Sequence, residues 1–391
     1  MMQAKHYISV VYLLFLAVAG LAQDQEFYTA GDDIMLRFRE SDKDAILFIQ
    51  ASLGSTLLKG KQEAGELTFE IPKIYSEQKG KLSYRLIQNG KTKHTGSIKI
   101  EADTLKTKAI EAYLGPSSIT AGGEDFTQLT AIPVDQFDNR FPDSTLVKVS
   151  DQFKEAVNQN EFRTHKGFVF EDIFSPLQDG TIMVVASSND VAAEGMFTKV
   201  YPHLPTDFMI FAERPNKFAD GDQITNLFTS TILDRYGNTV SDGSLVEFFI
   251  TDDHGEVYRT TGATIHGVAK TQINHPEKPV ILTVKAGVDG IAESDTISIQ
   301  YFSAVEDFEF KVDDRTIIVG PVYSFLKQRI AEGTTVELIV SNDNESHDFI
   351  KHAENGMVTF SLTAEEIPTG KWQIKLTVLG KEKSKMINIA Q

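Results

Sequence analysis

Fifty-five acidic residues stand against 38 basic ones, so carboxylate chemistry is the first to look for. Adjacent pairs such as Asp32-Asp33 and Asp252-Asp253 are of the right type for acid–base work, but pairs this common single out no one of them. Asp135, Asp138 and Asp143 supply hard oxygen ligands of the kind calcium takes. Their spacing matches no EF-hand loop and no Glu closes it, so a turn is expected there and calcium is not favoured. "NDNESHD", Asn342–Asp348, is rich in oxygen ligands but lacks the glycine of a tight calcium loop, and reads as a solvated hairpin loop. His347 and His352 are five apart and share no face of a strand or helix. Trp372 alternates with Ile374 and Leu376, a core position and not a sugar-stacking platform. There is no cysteine, which removes disulfides, thiolate metal sites, cysteine nucleophiles and a cysteine-linked lipid anchor. G-x-S-x-G, H-E-x-x-H and a phosphate-binding glycine loop are also missing from the sequence. The expectation is a non-enzyme with no catalytic residues, no cofactor and no metal.

Position in the cell is read from the other end of the chain. Ile8–Ala22, "ISVVYLLFLAVAGLA", follows Lys5 and His6 and is short for a membrane span. Gly20-Leu21-Ala22 fits a small-x-small cleavage site before polar Gln23, so residues 1–22 read as a secretory signal peptide. No later run approaches spanning length. Cleavage removes Lys5 and takes the formal charge from −17 to −18. A chain this acidic is repelled by nucleic acid and anionic headgroups. The expected placement is periplasm or cell surface, and the expected partner is a protein or a cell-surface component.

The elements that hold these residues follow from repetition. "VDQFDNRFPDSTLVKV" (Val134–Val149) recurs as "LDRYGNTVSDGSLVEF" (Leu233–Phe248), matching at Asp135/Asp234, Asn139/Asn238, Asp143/Asp242 and Leu146/Leu245 with an offset of 99. Gly167/Gly267, Ile173/Ile273, Val184/Val284 and Tyr201/Tyr301 match at 100. The two ends also echo each other: "GKLSYRLIQNGK" (Gly80–Lys91) and "GKWQIKLTVLGK" (Gly370–Lys381) share Gly, Lys and Leu positions at an offset of 290. The order is A-B-B-A: a signal peptide at 1–22, then modules at 23–104, 105–204, 205–302 and 303–391.

Each module alternates with a period of two, as at Val246, Phe248 and Ile250, or Ile98 and Ile100. Turn pairs such as Asn89-Gly90 and Asp242-Gly243 separate the runs. The fold class expected is all-β, four tandem immunoglobulin-like antiparallel β-sandwiches. One short helix is expected at Asp151–Phe162, with Phe153, Ala156 and Val157 inward. In the duplicated stretch, Asp and Asn are turn formers, and Gly237 supplies positive φ.

"LDRYGNTVSDGSLVEF" resembles the immunoglobulin-like repeats of invasin- and intimin-type bacterial adhesins. Their pattern D-x-x-G-N-x-V followed by V-x-F falls here on Asp234, Gly237, Asn238, Val240, Val246 and Phe248, with Gly267, Val284 and Ala286 beyond. The second module departs from it with Asp138, Phe141 and Val149, and keeps Gly167, Val184 and Ala186. The resemblance covers about 105–302 and implies the sandwich fold, with adhesion or a spacer role. The closing stretch is also similar to the sorting domains of type 9 secretion, but the same shape in the first module favours an ordinary closing sandwich.

Two roles fit: an envelope scaffold that presents its modules to a partner, or a periplasmic accessory subunit of an outer-membrane assembly. A carbohydrate-active enzyme, or its sugar-binding accessory chain, is the alternative from another class. For the contact itself the differences between the twins matter. The second module places Phe168, Phe170 and Phe174 where the third has Val268, Lys270 and Asn274, and adds Phe162. Phe162 and Phe174 are the expected partner-binding residues, since aromatics carry much interface energy.

Overall fold

The computed structural model describes residues 26–39 and 43–390, so the signal-peptide reading at 1–22 lies outside the described residues. These residues are almost entirely strand and turn, with one four-residue helix, Lys73–Ser76. They fall into two compact units. One takes the described residues up to Ser117 with 127–173 and 181–198; the other takes 118–126, 174–180 and 199 onward.

In the first unit, a five-stranded sheet runs in the order Glu26–Thr29, Lys91–Glu101, Gly80–Gln88, Ile46–Ala51, Gly54–Lys59. A three-stranded sheet, Met35–Arg39, Glu66–Glu70, Lys61–Glu63, covers it. Alternation turns Leu47, Ile49, Leu82, Leu86, Ile98 and Ile100 inward from the larger sheet, against Leu36, Leu67 and Phe69 from the smaller. The opening strand pairs parallel with the closing one, Glu26 opposite Ile98 through Thr29 opposite Glu101. The rest is antiparallel, and the arrangement is an immunoglobulin-like sandwich.

The expected helix at Asp151–Phe162 is not formed. Leu146–Phe153 and Ala156–Arg163 make a β-hairpin through a two-residue turn, with Lys154 at a φ of 53°. The near half of that stretch is held by its other neighbour, Gly180–Ser188, in register from Lys148 opposite Ser187 to Phe153 opposite Ile182. Cross-strand pairing overrides the local helix pattern.

In the second unit, one continuous sheet holds Phe218–Ala219, Ile297–Ser303, Val280–Val288, Leu245–Thr251, Val257–Ile265, Val268–Asn274, Ile224–Thr229 and Ile210–Glu213. It folds over a core that includes Val246, Phe248, Ile250, Val284, Ala286 and Tyr301. The closing sandwich pairs a sheet of Ser346–His352, Thr335–Ser341, Gly370–Val378 and Lys381–Ile389 with a second of Phe310–Asp313, Thr316–Val319 and Val358–Ser361. Trp372 is 2% exposed in its core, and its indole N–H donates to the Pro368 carbonyl at 2.9 Å. "NDNESHD" lies at the tip of a hairpin between the Thr335–Ser341 and Ser346–His352 strands. A short early strand again pairs parallel with the closing one: Ser118–Thr120, after Thr107–Gly115, with residues 199–201, and Phe218–Ala219, after Ile210–Glu213, with 302–303. The nine-residue strands Gly80–Gln88, Gly180–Ser188, Val280–Val288 and Gly370–Val378 begin at the repeat offsets.

Candidate functional site

The duplicated stretch builds the same polar cluster twice, once in each unit. In the first unit Asp135 has no exposed surface. Its Oδ1 accepts the N–H groups of Phe137 (2.9 Å) and Asn139 (3.0 Å), which closes the turn. Its Oδ2 accepts the N–H of Asp103 at 3.0 Å and the side-chain amide of Asn139 at 3.1 Å. Asn139 then reaches out of the turn. It donates to the Glu77 carbonyl at 2.8 Å and accepts the Lys79 N–H at 2.9 Å, both at the end of the first sandwich. Phe137 packs against that sandwich's core. Its ring lies over Gly31, where an added Cβ would stand 2.6 Å from Cε2.

The second unit repeats the bonds atom for atom. Asp234 Oδ1 accepts from the N–H of Tyr236 (2.8 Å) and of Asn238 (2.9 Å). Its Oδ2 accepts from the His203 N–H (2.8 Å) and the Asn238 amide (2.7 Å). Asn238 donates to the Leu177 carbonyl at 2.8 Å and accepts the Asp179 N–H at 3.0 Å. Tyr236 lies over Gly122 as Phe137 lies over Gly31. Each stretch therefore ties its turn to a loop some sixty positions earlier in its own unit, Glu77 and Lys79 in the first and Leu177 and Asp179 in the second.

A third turn has the same backbone and different side chains. The Ser324 N–H donates to Gln328 O and the Ile330 N–H to Val322 O, matching Asp234 to Asn238 O and Val240 to Ile232 O. Here Ser324 and Gln328 stand for Asp and Asn. Pro279 stands where Lys79 and Asp179 gave an N–H, so that donor is missing. The tie is apolar instead: Phe325 stacks on Phe218 with centroids 3.8 Å apart. A-B-B-A groups the last module with the first, and this turn adds a feature that it shares with the middle two. The sequence hid it because the two polar matches are replaced.

The carboxylates weighed for calcium are engaged with donors. Asp138 pairs with Lys108 at 3.0 Å, and Asp143 Oδ1 accepts the Gly167 N–H at 3.0 Å. For Asp234, burial pushes the pKa up, but the Asn238 side chain and the N–H groups of His203, Asn238 and Tyr236 outweigh it and hold the carboxyl below its ordinary value. A depressed folded-state pKa gives stability that is present in full above the unfolded value of about 3.9 and is lost as pH falls through the folded one. Urea melts should therefore show the second unit weakening from about pH 5 to pH 3, and Asp234→Asn should weaken less over that window. Equal acid slopes in the two proteins would rule out this carboxylate as a source.

The two expected contact residues lie on different strands. Phe174 ends Val169–Phe174, is 58% exposed, and has Phe126 beside it with centroids 5.6 Å apart. Phe162 is half-buried on Ala156–Arg163, opposite Val147. Phe168 and Phe170 form an edge-to-face pair at 4.8 Å.

No family model matches the chain, and no curated protein matches it. Solved structures do. The chain is similar to the Escherichia coli adhesin FdeC at 16% identity, over 72% of this chain and 95% of that one, with a TM-score of 0.48. It is similar to invasin, a bacterial integrin-binding protein, at 12% identity over 93% and 78%, with a TM-score of 0.46. It is also similar to the Yersinia pseudotuberculosis adhesin InvE at 13% identity over 65% and 74%, with a TM-score of 0.28.

Proposed function

We propose that the chain is an exported, non-enzymatic scaffold of the bacterial cell envelope, built of four sandwiches at 23–104, 105–204, 205–302 and 303–391, which presents a contact surface to a protein partner. The twice-built Asp–Asn clamp carries this reading. Its buried polar side chains tie each turn to a remote loop of the same unit, which is the requirement of a scaffold that must hold a surface at a set place. The contact is assigned to Phe174 with Phe126, because two adjacent rings 58% and 40% exposed leave apolar area uncovered.

Photocrosslinking tests it. A benzophenone side chain at position 174 of the exported protein should give one dominant adduct in intact envelopes, and the same group at Ile265, 68% exposed in the third sandwich, should not. Phe126→Ser should reduce the adduct at 174 and move stability by no more than about 0.5 kcal/mol, the range of a surface change. No adduct, or the same adducts from both positions, would overturn the assignment.

A further inference from the structure

The hairpin strand Ala156–Arg163 is the edge of its sheet. It pairs along its whole length with Leu146–Phe153, and every residue of it except Phe162 is exposed. Its counterpart in the third sandwich is not an edge. Val257–Ile265 turns into Val268–Asn274, with Thr264 opposite Ala269 and Ile265 opposite Val268, and the sheet continues. One position separates the two outcomes. Val246 faces Gly262, and its twin Val147 faces Phe162. A Cβ at Gly262 would stand 3.0 Å from the carbonyl carbon of Lys270 and closer still to its oxygen, so only glycine lets that seam close. Phe162 puts a ring at the same place. After it the chain makes a single bridge, His165 with Phe168, and the edge stays open.

Edge strands are ordinarily protected by lysine, proline or a bulge. Val157, Asn158, Gln159 and Asn160 carry none of these. The strand's charges are turned back on its own sandwich: Glu161 lies 3.6 Å from Lys148, and the Arg163 guanidinium donates to the Ser144 carbonyl at 2.9 Å. The edge is therefore neutral, and its sequence is symmetric about Gln159, reading Asn-Gln-Asn. An antiparallel partner related by a two-fold axis through Gln159 puts Asn158 opposite Asn160, Ala156 opposite Phe162 and Val157 opposite Glu161. Paired residues stay on the same face, and no like charges meet.

We propose that Ala156–Arg163 is a self-docking edge, on which two copies of the chain pair antiparallel about Gln159 and join their sheets. The neutral, symmetric edge selects a second copy over a charged strand of another protein. Each signal-free copy's net charge, −17 for the full chain and −18 once Lys5 is removed, opposes the approach, so salt strengthens the pairing.

Sedimentation velocity on the signal-free chain reads this. The wild type should show a monomer–dimer equilibrium that shifts toward dimer as salt is raised. Gln159 faces itself across the axis, so Gln159→Lys and Gln159→Glu should each be monomeric with unchanged melting curves. An equimolar mixture of the two should recover a heterodimer. A wild type that stays monomeric in high salt overturns the proposal. So does a dimer that both variants keep, or a mixture that stays monomeric while each variant is folded.

Discussion

Asp234→Ala is expected to cost about 3–5 kcal/mol, most of the range that a single substitution reaches. The substitution strips one acceptor from four donors at once: the N–H groups of His203, Tyr236 and Asn238, and the Asn238 amide. Asp234 is 3% exposed and Asn238 is 5% exposed, so little water reaches the orphaned groups. Each buried donor left unpaired costs about 1–3 kcal/mol, and the four are not additive because they share one loop. Asn238→Ala should cost about 2 kcal/mol, since it removes the reach to Leu177 and Asp179 and leaves the turn's backbone bonds. Asp138→Asn is the control: that carboxylate is exposed and pairs with Lys108, asparagine suits its φ of 63°, and the loss should stay within about 0.5 kcal/mol. Urea denaturation of the full chain measures all three. If Asp234→Ala costs no more than Asp138→Asn, the clamp is decorative.

Gly262→Ala should cost about 2–3 kcal/mol, although alanine ordinarily favours strand over glycine. Its φ is not in the left-handed region, so the cost is steric: the new methyl meets the backbone of Lys270, which cannot swing aside as a side chain can. Gly287→Ala in the same sandwich meets only Ala292 O at 3.6 Å, an ordinary contact, and should be nearly neutral. Since the amides of Thr264 and Ala269 donate to Ser244 O and Thr229 Oγ1 instead, hydrogen exchange should place the damage at the seam in those of Ile265 and Val268. Retained stability and protection at those two amides would show that the seam closes without glycine, and would remove the reason given for the open edge in the second sandwich.

The sequence carried the sandwiches well. A buried strand writes its alternation locally, and the offsets of 99, 100 and 290 mark where homologous strands start. What Asp135 and Asn139 grip was not legible, because Glu77 and Lys79 lie some sixty positions away and contribute backbone groups that any residue would offer. Turn formation and clamping ask for the same two side chains, so the sequence shows the first and conceals the second. The hairpin at Asp151–Phe162 was misread as a helix for a related reason. The outer neighbour of its first strand, Gly180–Ser188, is remote, and nothing in the stretch itself names it. Phe162 and Gly262 could be aligned by offset, yet their meaning depended on a neighbouring backbone that only the folded chain brings near.

The parallel pairing of first and last strands has a mechanical consequence. In the first sandwich, Glu26–Thr29 and Lys91–Glu101 run side by side in one direction, so the chain enters at one end of the pair and leaves at the other. Ser118–Thr120 with residues 199–201 and Phe218–Ala219 with 302–303 repeat the parallel pair, but there an antiparallel strand, Thr107–Gly115 or Ile210–Glu213, comes before it. Tension applied through the two ends of the first sandwich pulls its paired strands past each other lengthwise. The hydrogen bonds between them then bear the load together in shear, and none can be opened singly as in a zipper.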